Sequence, residues 1–222
     1  IREVKRLTGR MVAINLEPAA ISEDTEKDPV WSLTEGRRAT VENAKKAADM
    51  GVDMIILTGN PGIGVSNHAI VHALNELKAA VGDRVILTAG KMHAAGVISE
   101  GGENILTEND VDAFIDAGAD ILLLPAPGTV PGITMEYAHK LIARAHAKGA
   151  LAMTTIGTSQ EGADEATIRE IALMCKMAGA DIHHIGDSGY MGMAIPDNIT
   201  AYSIAIRGKR HTYRRMAMSL LR

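Results

Sequence analysis

Residues 118–124 read Gly-Ala-Asp-Ile-Leu-Leu-Leu, and residues 179–185 read Gly-Ala-Asp-Ile-His-His-Ile. A glycine, a short turn and then an apolar run make a unit that recurs along the chain. Gly51 precedes Val52-Asp53-Met54-Ile55-Ile56-Leu57, Gly82 precedes Asp83-Arg84-Val85-Ile86-Leu87, and Gly149 precedes Ala150-Leu151-Ala152-Met153. Successive glycines lie 31, 36, 31 and 30 residues apart, close to the ~30 residues of one βα unit. The glycine suits the left-handed residue just past a helix end. The short, wholly apolar runs suit strands of a parallel sheet, covered on both faces.

Helices fit between the runs, over 40–50, 67–81, 107–117, 134–148, 164–178 and 197–207. Thr40, Ser66, Thr107, Thr134 and Asp164 stand where N-caps belong. The pattern predicts six strands, near 11–16, 53–58, 84–89, 121–125, 151–155 and 182–185, all parallel and each followed by a helix. Two α/β folds meet it. A TIM-type (β/α)8 barrel averages ~31 residues per unit, and a complete doubly wound sheet also accommodates six strands. Ile1–Arg10 reads as a helix tail running into the strand at Met11. The preferred expectation is therefore one barrel domain over residues 1–222 that lacks its first two βα units.

Composition narrows the function classes. The chain is 46% apolar and 23% charged, which is globular rather than disordered. A net charge of −4 and 3% aromatic residues argue against a nucleic-acid partner. Six positive charges in the last sixteen residues read as a solvated terminal helix. No apolar run reaches the ~18 residues of a membrane span. Cys175 is the only cysteine, which excludes an internal disulfide and fits a cytoplasmic protein.

In either fold the ligand site lies beyond the carboxyl ends of the strands, and polar residues and glycines gather there. Lys91 follows its strand directly, where a lysine binds an anion, donates a proton or forms a Schiff base. His93, two residues on, is an acid/base candidate, and Glu17 closes the first strand as a base or metal ligand. Asn60 offers a polar group in a glycine-rich loop that matches neither a P-loop nor a dinucleotide frame. Gly157, Thr158 and Ser159, with Gly186, Asp187, Ser188 and Gly189, offer backbone N–H groups and hydroxyls to a phosphate, as the last two loops of barrels frequently do. His183 and His184 are strand neighbours and face opposite ways, so they are not a chelating pair. No metal motif stands out, although a Mg²⁺ held by Glu17 or Asp187 and substrate oxygens would leave none. Two insertions, Ala19–Arg38 and Val97–Asn104, are placed to cover a ligand.

The runs NLEP (15–18), TGNPGIGVSN (58–67) and AGKMHAAG (89–96) resemble a bacterial family of TIM-barrel-like proteins, a domain of unknown function often encoded beside sugar phosphotransferase systems. The resemblance spans the chain and implies a barrel and a cytoplasmic protein, without assigning a reaction. The expected function is lyase, aldolase or isomerase chemistry at the carbonyl of a small phosphorylated or carboxylated metabolite. The alternatives are a non-catalytic sugar-phosphate-binding regulator and a Mg²⁺-dependent enzyme similar to phosphoenolpyruvate mutase or isocitrate lyase. An incomplete barrel exposes strand edges, so a homo-oligomer is expected, with Met193, Ile195, Ile199, Ile204 and Ile206 available to cover them.

Overall fold

A computed structural model of the chain describes residues 1–19, 33–94, 97–186 and 194–218. The elements run α1 (Arg2–Thr8), β1 (Ala13–Leu16), α2 (Val41–Asp49), β2 (Met54–Leu57), α3 (Asn67–Val81), β3 (Ile86–Gly90), α4 (Glu108–Asp116), β4 (Ile121–Pro125), α5 (Met135–Ala147), β5 (Leu151–Thr155), α6 (Glu165–Ala178), β6 (Ile182–His184) and α7 (Pro196–Ala217). All six strands are parallel and lie in the order β1-β2-β3-β4-β5-β6. That order decides between the two folds. A doubly wound sheet reverses direction at a switch point and takes helices on both faces. Here every crossover steps the same way, so right-handed connections put the helices on one face and curl the sheet as part of a barrel.

Burial follows the two faces. On the convex side Ile55, Leu57, Leu87, Leu122 and Leu124 pack with helix residues such as Ile70, Leu74, Phe114 and Leu141 in one cluster. On the concave side Met54, Ile56, Ile121, Leu123 and Met153 form a cluster with Ile86, Met92 and Ile182, and among the described residues no helix residue joins it. This is the lumen core of a barrel, filled by side chains. Ala13 and Asn15 share that face by register but are exposed, because β1 is an edge.

The predicted caps are the observed ones. Thr40, Ser66, Thr107, Thr134 and Asp164 each accept a hydrogen bond from the backbone N–H three residues on, and Thr107 completes a capping box with Asp110. Of the five repeat glycines, Gly51, Gly118, Gly149 and Gly179 have positive φ. Gly82 departs from the expectation: at φ −59° it continues the right-handed turn of α3.

The repeat aspartates hold the amino ends of the strands. Asp53 N–H donates to the Val12 carbonyl and Asp53 Oδ2 accepts the Val12 N–H at 2.8 Å. Asp120 clasps Leu87 and Asp181 clasps Ala152 in the same two-point way. Each carboxylate also meets a helix cation or imidazole, from Lys5, Lys78 and His146 respectively. Conservation of chemistry within this repeat therefore serves strand register, at the end away from the candidate site.

Helix α7 extends well beyond the predicted 197–207. Gly208 (φ 77°, ψ 162°) breaks it into two arms, and Ser203 Oγ lies 3.0 Å from Thr212 Oγ1 across the fold-back. Lys209, Arg210, Arg214 and Arg215 on the second arm are exposed, as expected for a solvated helix. Arg10 reaches back to the Arg215 and Met218 carbonyls, joining this arm to the segment before β1.

Candidate active site

Two glycines bring the carboxyl ends of β3, β4 and β5 close together. Gly90 ends β3, and a Cβ there would fall 1.8 Å from the Leu123 carbonyl oxygen. Gly157 follows β5, and a Cβ there would fall 2.6 Å from Met92 Cγ. Only residues without side chains permit these approaches. Met92 therefore lies on Gly157, and its neighbour His93 is held beside the loop that leaves β5.

The result is a cleft of about 500 Å³ lined by His93, Ala94, Gly101, Gly102, Val130, Pro131, Gly157, Thr158 and Ser159. It joins the loops after β3, β4 and β5. His93 is half-buried, and burial, reinforced by the charge of Lys91, holds its imidazole below the usual histidine range. The ring is thus neutral near pH 7 and able to take a proton. Lys91 is 1% exposed. Its Nζ is paired at 2.5 Å with Oε2 of Glu100, on the one-turn helix Ile98–Glu100 of the second insertion.

The β5 loop has the character of an anion cradle. The backbone N–H groups of Gly157, Thr158 and Ser159 make no hydrogen bond among the described residues. Ser159 has φ +73°, the one positive φ among described residues other than glycine, and such a strained conformation often marks a functional turn. The Thr158 hydroxyl donates to the Thr129 carbonyl at 2.7 Å, so the loop offers an anion its amides rather than this hydroxyl.

Other predicted residues lie apart from this cleft. Glu17 is buried; its Oε1 pairs with Arg37 and its Oε2 has no partner among the described residues. Burial pushes its carboxyl up, and the Arg37 guanidinium offsets part of that. Asn60 Oδ1 accepts the Gly62 N–H at 2.7 Å, a turn-forming role. Gly186 stands at the end of β6 with φ +93°, beside the carboxylate of Glu161. Asp187, Ser188 and Gly189 lie outside the described residues, as do most of the first insertion and Met193. The opposed histidines are as expected: by register His184 shares the concave face with Thr155, while His183 meets Tyr202 of α7, Nδ1 to hydroxyl 3.0 Å.

Sequence reasoning missed Glu100 and Glu161. Glu100 is one of many surface-type carboxylates in a polar insertion, and only the fold sets it on Lys91. Glu161 is 5% exposed, yet its Gln-Glu-Gly context reads as an ordinary loop. The hydroxyls of Thr58, Thr88 and Thr155 are also buried without partners among the described residues. No group of three metal-binding side chains occurs among the described residues.

A family model described as a domain of unknown function (DUF7916) matches residues 1–222. The chain belongs to that family. Comparison with curated proteins finds no match. Solved structures show the family's fold. A tetrameric deoxyribose phosphate aldolase from Aeropyrum pernix aligns with TM-score 0.58 at 16% identity, over 93% of this chain and 75% of that one. A candidate deoxyribose-phosphate aldolase from Coccidioides immitis aligns with TM-score 0.57 at 12% identity, over 88% of this chain and 66% of that one. A candidate lyase/mutase from Burkholderia cenocepacia aligns with TM-score 0.56 at 14% identity, over 92% and 69%. The family fold is thus TIM-barrel-like, and the described residues of this chain supply six consecutive strands of it. No helix among the described residues is long and apolar enough to cross a membrane.

Proposed function

We propose that the protein is a lyase of the aldolase type, acting on a small phosphorylated sugar or related oxo-acid in the cleft beside His93. The observation that carries this reading is a strand-end cleft in which a neutral imidazole faces a loop whose amides have no partner among the described residues, with the buried Lys91 two residues before that imidazole. The folds of the structural neighbours agree with it. The amides of Gly157–Ser159 hold the phosphate. Neutral His93 takes the proton from a hydroxyl β to the substrate carbonyl. The bond between the α and β carbons breaks, and its electron pair passes into the carbonyl as an enolate. Lys91 stabilises that oxygen, and return of a proton to the α carbon completes the cleavage. The active protein is a homo-oligomer.

A thermal-shift screen tests the reading, with sugar phosphates, pyruvate, phosphoenolpyruvate and inorganic phosphate, each with and without Mg²⁺. One phosphorylated compound should stabilise the wild type and be turned over, and Lys91→Met should abolish that turnover. Binding that Lys91→Met merely weakens, with no turnover by the wild type, would make the protein a metabolite sensor. The absence of any shift at millimolar ligand would remove the phosphate site.

A further inference from the structure

We infer that Lys91 is the centre of an anion subsite which Glu100 occupies until a ligand displaces it. The inference rests on the cleft reading above and adds its gate. A buried ammonium requires a counter-charge, and among the described residues Lys91 has one, Glu100 Oε2 at 2.5 Å. The two partners are unequal. Lys91 is 1% exposed and Glu100 is 28% exposed, so the carboxylate stands between the ammonium and solvent. The residues next to each partner line the cleft: His93 beyond Lys91, and Gly101 and Gly102 beyond Glu100. Withdrawal of Glu100 therefore opens the ammonium toward the cleft.

The segment bearing Glu100 is built to move as a flap on one anchored side. Its turns are closed by local bonds, Glu100 N–H to the Val97 carbonyl and Gly101 N–H to the Ile98 carbonyl. Ile98 is 95% exposed and packs on nothing that would hold it. The anchor lies further on, where Ile105 and Leu106 are buried and Tyr137 Oη donates toward the Glu103 and Leu106 carbonyls. Between anchor and strand, the Lys91–Glu100 pair is the charged tie, beside the Val97 N–H to Ala94 carbonyl bond and the approach of Gly102 to Gly132. A ligand carboxylate or phosphate oxygen offers Lys91 the same charge-assisted bond and exchanges with the tie one for one. The apparent affinity of such a ligand is lowered by the fraction of molecules in which Glu100 is in place.

The test compares the wild type, Glu100→Gln and Glu100→Gln/Lys91→Met, titrated separately with inorganic phosphate and with pyruvate. Amide hydrogen exchange of residues 98–104 is followed in the wild type. The subsite predicts binding of at least one probe about tenfold tighter in Glu100→Gln, a typical coupling. It predicts that the gain vanishes in the double variant and that the same probe speeds exchange of 98–104 in the wild type. A gain with phosphate alone assigns the subsite to a phosphate, and with pyruvate alone to a carboxylate. Equal or weaker binding of both probes in Glu100→Gln overturns the inference, as does unchanged exchange in the saturated wild type should the variant not fold. The outcome is separable from the aldolase reading. Competition without carbonyl cleavage keeps the gate and removes the reaction, whereas turnover without competition does the reverse.

Discussion

At the scale of single residues, the cleft depends on groups whose surroundings change their chemistry. His93 illustrates this. Burial and the Lys91 charge favour its neutral form, so the folded protein binds that proton more weakly than the unfolded chain. The linked stability is complete above the ordinary imidazole value of about 6.5 and is lost as pH falls through the lower folded value. An NMR titration of His93 should give a midpoint below 6.5, and the acid limb of activity should follow it; a midpoint at or above 6.5 would remove the desolvated-base role. Gly90 and Gly157 offer a second prediction. Gly90→Ala drives a Cβ into the Leu123 backbone and should cost about 3 kcal/mol or more in urea unfolding. Gly157→Ala meets Cβ and Cγ of Met92 rather than a backbone carbonyl and should cost less than Gly90→Ala, while displacing Met92 and disturbing the cleft. Lys91 and His93 were legible in the sequence because a lysine and a histidine directly after an apolar run can hardly be elsewhere than at a strand mouth. Glu100 was not, because the contact depends on how an insertion folds back over nine residues, which no periodicity records.

At the scale of elements, the repeat was readable because each βα unit carries the same signals: a capping Thr, Ser or Asp, an apolar face at helical spacing, a glycine and a strand. The exceptions have local causes. Helix α7 outran its prediction because Gly208, a helix breaker by propensity, here makes a sharp turn between two arms instead of an end. The aspartates of the repeat, Asp53, Asp120 and Asp181, secure the amino ends of the strands. Asp120→Ala leaves the Leu87 N–H without its side-chain acceptor and removes the Lys78 pair. The expected loss is about 1–3 kcal/mol, read as a lower urea midpoint with an unchanged slope. Anion binding at the cleft, at the other end of the sheet, should be unaltered.

At the scale of the molecule, the six strands among the described residues curl in consecutive order without closing, which leaves β1 and β6 as edges. Barrels remove such edges by closure. Near β1 and the second arm of α7, Leu7, Met11, Tyr213, Met216 and Met218 are exposed large side chains, a concentration characteristic of contact surfaces. Sedimentation velocity should therefore give a species heavier than the 23.5 kDa chain, and Leu7→Asp with Met216→Asp should shift it toward the monomer. A monomer at micromolar concentration would contradict the oligomer reading. Order of strands was decided only by the structure, because a sequence of βα units is the same for a barrel and for a doubly wound sheet.

The claim that the cleft breaks a carbon–carbon bond is tested most directly by phosphorus NMR of the wild type with deoxyribose phosphate and with ketose phosphates. The account predicts that at least one is cleaved, with a shorter aldehyde phosphate appearing as the substrate signal falls, and that His93→Gln slows this at least about a hundredfold while the fold is kept. A sugar phosphate that binds in the cleft and stays intact with the wild type, or cleavage that proceeds unchanged in His93→Gln, would contradict it.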